Sequence, residues 1–95
     1  MKTKQNSITA AWDFVLAYVA ALVALTSTPE NVTPDWHMLS RALQSLPLAT
    51  DDFALLSNRL TAARAYLCQG ECGAAKYELN QLGSRLERIR ELHGW

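Results

Sequence analysis

Residues 72–93 read CGAAKYELNQLGSRLERIRELH, and Cys72, Ala75, Leu79, Leu82, Leu86 and Ile89 recur there at alternating steps of three and four. That is the period of a helix burying one face, held over nearly three heptads like a coiled-coil seam. The stretch predicts a helix opening near Glu71 and running to about His93. Gly83-Ser84 interrupts this seam, as either a kink or a site of close approach for a neighbour.

Reading back from this seam gives three more helices. Phe53, Leu56, Leu60, Ala63 and Leu67 repeat the spacing between a cap at Thr50 or Asp51 and a terminating Gly70. Before that, Thr33 as N-cap, Pro34 at the first helical position and Asp35 facing the positive helix end mark a start. Trp36, Leu39, Leu43 and Leu46 follow, and Pro47 stops that helix. The first helix is predicted from Ile8 to about Thr26, with Ser7 as N-cap, a polar tail before it and a Pro29 loop after it. It is apolar nearly all round. One stripe is Ile8, Trp12, Val15, Val19 and Leu22; a second is Ala11, Phe14, Tyr18 and Leu25; a third is Ala10, Ala17 and Ala24, beside Ala20 and Ala21. A chain this short hardly covers three stripes with its own helices, so either this helix is central or part of it faces another molecule.

Composition agrees with an all-α fold. The chain has 95 residues, with fourteen Ala and fifteen Leu against six Ile and Val together. Ala and Leu lose little freedom in a helix, whereas β-branched residues lose more. We expect one domain, residues 1–95, of about four helices, as a bundle or as stacked helical hairpins. No segment alternates in the manner of a strand for more than a few residues.

Charge removes further classes. Nine basic and nine acidic residues give no net charge. Nucleic-acid binding needs clustered Lys and Arg, and the nearest group, Arg85, Arg88 and Arg90, is interleaved with Glu87 and Glu91 and reads as a solvated helix face. Lys2 and Lys4 precede the apolar run Phe14–Leu25, twelve residues where a bilayer span takes about 20. Extending the run back to Ile8 takes in Thr9 and Asp13, and no small-x-small cleavage site follows. These features argue against a membrane protein and for a cytoplasmic one. Asn31-Val32-Thr33 is then a chance match to a glycosylation acceptor.

No catalytic set is visible, and we expect no enzyme, no cofactor and no metal. Asp51 and Asp52 are adjacent, so they share no helix face and read as a helix start. His37 has no readable partner. Cys68 and Cys72 bracket a turn where a disulfide is geometrically possible, but neither His37 nor His93 stands at a zinc-ligand spacing from them. They read as small, partly buried thiols. Gly70 and Gly73 lack the G-K-[ST] of a phosphate loop. Asp13, beside the alanine stripe, is either solvent-exposed near the helix start or a pairing site for a partner's basic residue.

Residues 60–82 resemble one tetratricopeptide-repeat hairpin: Ala63, Tyr66, Gly70, Ala75 and Leu79 fall on that motif's small, aromatic, turn, small and large apolar positions, and Leu82 follows. The motif's usual Trp position is Arg59 here. The resemblance implies a helical hairpin that binds segments of other proteins. Among proteins of this length, the chain is similar to the small helical chaperones of bacterial type III secretion, which implies a cytoplasmic partner-masking role.

The expected function is therefore a protein-binding module, chaperone- or adaptor-like, whose partner is another protein or a second copy. Phe14, Tyr18, Leu22 and Leu25 are the expected anchors, Tyr66 and Leu79 line a groove, and Arg64 and Lys76 orient a partner from its rim. The alternatives are an inhibitor or immunity protein of phage or plasmid type, with Asp51-Asp52 capping a basic site, and a structural homodimer.

Overall fold

The computed structural model describes residues 2–26 and 35–94, with side chains from Ile8 onward. Thr33, Pro34 and Trp95 lie outside the described residues, as do Pro29 and the acceptor pattern at 31–33. Four helices follow in order: α1 (Lys2–Thr26), α2 (Trp36–Gln44), α3 (Thr50–Cys68) and α4 (Cys72–His93). No strand occurs among the described residues.

The α3–α4 hairpin is set by its turn. Gly70 adopts φ +80, a conformation that glycine enters without steric cost. The amide of Glu71 donates to the carbonyl of Tyr66 at 2.9 Å, and that of Gly70 to Leu67 at 3.1 Å, the paired bonds of a Schellman ending. The chain reverses there. Arg59 bonds Glu78 at 2.9 Å, and seven residues further from the turn on each helix Asp52 meets Arg85 at 3.7 Å. Equal steps away from the turn mean antiparallel helices in register.

Helix α4 is shared. It packs along α3 on one side and α1 on the other, while α2 lies against both α1 and α3, so the four helices close a ring. Val19 sits beside Gly83 and Asp13 bonds Arg90, which makes α1 antiparallel to α4 as well. α4 runs unbroken through Gly83-Ser84, so the glycine serves close approach and not a kink.

The core is drawn from the predicted seams, of which Ile8, Trp36, Phe53 and Leu67 are only half-buried. Trp12, Val15, Val19 and Leu22 come from α1; Leu39 and Leu43 from α2; Leu56, Leu60 and Ala63 from α3; and Ala75, Leu79, Leu82, Leu86 and Ile89 from α4. Burying one such Leu or Val contributes about 1.5–3 kcal/mol, against the entropy of ordering it. Cys72, at the head of the α4 seam, is exposed.

Three boundaries differ from expectation. α1 starts at Lys2, not Ile8, so Ser7 lies within the helix. Nothing from Lys2 to Ser7 breaks a helix, and extending an existing helix costs far less than nucleating one. Lys2 and Lys4 sit at the positive end of the helix, and its last turn holds no basic residue. End charges therefore do not stabilise α1, and its packing does. α2 is capped by Asp35, whose carboxylate accepts from the amide of Met38 at 3.0 Å. Ala49, without a side-chain cap, precedes α3, and Asp51 and Asp52 lie in its first turn.

Candidate functional site

The three stripes of α1 have different fates. The first is core, apart from half-buried Ile8. The second flanks α2: Ala11, Tyr18 and Leu25 pack partly against the core, while Phe14 remains 49% exposed. The third is bare. Ala10, Phe14, Ala17, Ala21 and Ala24, at steps of four and three, are all exposed, and so is Ala20. This outward seam carries no charge along its length. Alanine at four of five positions keeps it low, so a facing helix could approach its backbone closely.

Two side-chain pairs border the seam. On the α4 side, Asp13 accepts from Arg90 at 2.8 Å. Asp13 is thus solvent-exposed, as the first reading had it, and its carboxylate is paired within the chain and not held for a partner's basic residue. On the α2 side, the rings of Phe14 and Tyr18 lie 5.9 Å apart at 30°. Tyr18 in turn donates its hydroxyl to the carbonyl of Asp35 at 3.0 Å, tying the start of α2 to the middle of α1. Phe14 therefore stands on a fixed neighbour and presents its outer edge.

The stretch Ile8–Thr26 has 19 residues, a mean hydropathy of 2.0 and 22% of its length buried. By length and composition it suffices to cross a membrane, a property it shares with core helices of soluble bundles. The expected shortfall in length does not hold, because the apolar stretch continues through Thr9 and Asp13 to Ile8.

The other expected site residues divide by burial. Leu22 (2% exposed) and Leu79 (0%) are core residues, so neither presents an anchor or a groove wall. Leu22 lies on the stripe of Trp12, Val15 and Val19, and Leu79 on the α4 seam, and the neighbouring helices cover both. Tyr66 is half-buried, and its carbonyl caps the hairpin turn. Arg64 and Lys76 are exposed on α3 and α4. Cys68 and Cys72 are exposed free thiols on either side of that turn, not the partly buried pair expected. His37 is exposed.

A second surface was missed. The interleaved charges of α4 do not form one solvated face. Arg90 turns to α1, while Arg85 and Arg88 turn to the outer groove between α3 and α4. There they line a hollow of about 220 Å³ with Leu55, Leu56 and Arg59. The hollow continues past Arg85 and Arg88 to Ile89 and Leu92. Its signal was present in the sequence: Gln81, Arg85, Arg88 and Leu92 repeat at four, three and four, one position off the buried seam. Among the described residues, no three His, Cys, Asp or Glu side chains are grouped to hold a metal ion. No protein-family model, no curated protein and no solved structure matches this chain.

Proposed function

We propose that this protein is a small binding module, adaptor- or chaperone-like, that covers an apolar helix of a partner protein with the outward face of α1. One observation carries the reading: five seam positions, Ala10 to Ala24, stand exposed at coiled-coil spacing on the most apolar helix of the fold. A large uncharged helix face left in water is the ordinary mark of an interaction surface. The α3–α4 hairpin, with Ala63, Tyr66, Gly70 and Ala75 on tetratricopeptide-repeat positions, supports kinship with hairpin-built binding modules working in the cytoplasm.

The test uses an Ala- and Leu-rich amphipathic peptide helix as a surrogate partner. The chain should bind it saturably, one to one, and Ala17→Glu should abolish binding without loss of helicity, since Ala17 is exposed. Binding that survives Ala17→Glu removes α1 as the working face.

A second reading, a structural homodimer, has its own observation. Around Ala17 the seam is self-complementary when two copies run antiparallel, because Phe14 of each then meets Ala20 of the other, and Ala10 meets Ala24. Light-scattering mass over a dilution series separates the two. A monomer at all concentrations removes the homodimer, and a dimer dispersed by Ala17→Glu establishes it.

A further inference from the structure

We propose that the groove between α3 and α4 is a second, independent docking site, and that it takes an acidic amphipathic helix of a partner protein. The argument starts from register. The pairs Arg59–Glu78 and Asp52–Arg85 place Leu55 level with Leu82 of α4. Leu92 stands ten residues further along, about 15 Å away at about 1.5 Å per residue. Leu55 and Leu92 are both among the exposed large apolar side chains, and Leu92 is 77% exposed. Arg85 and Arg88 lie between them, one helical turn apart, and line both halves of the same groove.

Charge is out of balance there. Arg59 is satisfied by Glu78 at 2.9 Å, and Arg85 reaches Asp52 only at 3.7 Å. Arg88 makes no ion pair among the described residues. Asp52, which also lines the groove, answers Arg85 at long range and nothing among the described residues answers Arg88, so the groove keeps spare positive charge between two apolar ends, and carboxylates set between two apolar side chains match it. On a helix laid in the groove, positions i, i+4, i+7 and i+11 share a face, and the outer two are about 16 Å apart. The pattern that fits is Leu-x3-Glu-x2-Glu-x3-Leu, which reads the same in either direction.

A second copy of this chain does not supply it. Its acidic residues are Asp13, Glu30, Asp35, Asp51, Asp52, Glu71, Glu78, Glu87 and Glu91; no two stand three apart, and Glu87 and Glu91, four apart, have Gly83 and Ser84 where the first apolar end belongs. The occupant is therefore a different protein, and the site stands whether or not α1 is also an interface.

The probe is a peptide of about 17 residues bearing that pattern on an Ala/Gln background, titrated by calorimetry against the full chain. We expect saturable one-to-one binding that weakens by about tenfold or more in Arg85→Gln/Arg88→Gln, in the Glu→Gln peptide, and on raising salt. Arg88→Gln alone breaks no ion pair among the described residues and keeps the test valid if the double variant unfolds. Phe14→Ser should bind the peptide as the unaltered chain does, which keeps this outcome separate from that of the α1 face. No saturation by about 1 mM, equal affinity for the Glu→Gln peptide, or binding indifferent to Arg88→Gln overturns the proposal. Displacement by inorganic phosphate at the peptide's own concentration also overturns it, reassigning the groove to free anions. Loss of self-association in Arg88→Gln would overturn it in favour of a second copy.

Discussion

Gly83 of α4 faces Val19 of α1 so closely that a Cβ built on the glycine would lie 3.4 Å from the valine Cγ1. That is ordinary van der Waals contact, so the position accepts one methyl, while a larger group must find room beside Val19. Gly83→Ala is expected to stabilise the chain by up to about 1 kcal/mol, because glycine inside a helix costs roughly that against alanine. Gly83→Leu is expected to destabilise by about 1–3 kcal/mol, since the larger group must push α1 away. Thermal unfolding of both variants checks the opposite signs.

Asp35→Ala should destabilise by about 1 kcal/mol, as loss of an N-cap usually does. The variant removes the carboxylate that accepts from Met38 but keeps the backbone carbonyl that accepts from Tyr18. With only nine residues, α2 has little helix to spare. Its amides should exchange faster than those of α4 in a hydrogen-exchange comparison of the variant and the unaltered chain.

Leu86→Ala should cost about 2–5 kcal/mol, because Leu86 is fully buried and deletion leaves a cavity as well as losing transfer energy. For a domain of this size, each kcal/mol moves Tm by about 4–8 °C. Leu92→Ala, one and a half turns along the same helix but exposed, should move Tm little. Equal shifts in the two variants would contradict the assigned faces of α4.

The Asp13–Arg90 pair is short at 2.8 Å, yet Asp13 is 65% exposed. A double-mutant cycle of Asp13→Asn and Arg90→Gln should return about 1 kcal/mol or less. The coupling should shrink on adding salt. A coupling several times larger would mean that the pair is shielded from water, and thus that something covers the α1 face in solution.

How the helices bury themselves was legible from spacing. Leu79, Leu82 and Leu86 repeat as a seam, and nothing else in the sequence competes for that face. Gly70 announced the hairpin turn for a steric reason that holds locally. On α1 the same reasoning reached its limit, because three apolar stripes are equivalent until the neighbours are known. Leu22 looked like Leu25, but one points between α1 and the core and the other to its edge. The arginines of α4 were misread because alternation of sign along the chain was taken for mixing in space. Arg88 and Arg90 are only two residues apart, yet that is more than half a turn, and they face different helices.

The ring of helices is closed by its two most distant partners in the chain. α3 and α4 meet across a three-residue turn, whereas Val19 reaches Gly83, and Asp13 reaches Arg90, across most of the molecule. Contacts with short loops form early and those with long loops late. The hairpin is accordingly the natural nucleus, and α1 is the last helix to dock. During synthesis α1 leaves the ribosome first and waits for the α4 surface that will cover Trp12, Val15 and Val19. For that interval the stretch from Ile8 onward is apolar nearly all round and in search of cover, and the nascent chain depends on the speed with which α3 and α4 arrive.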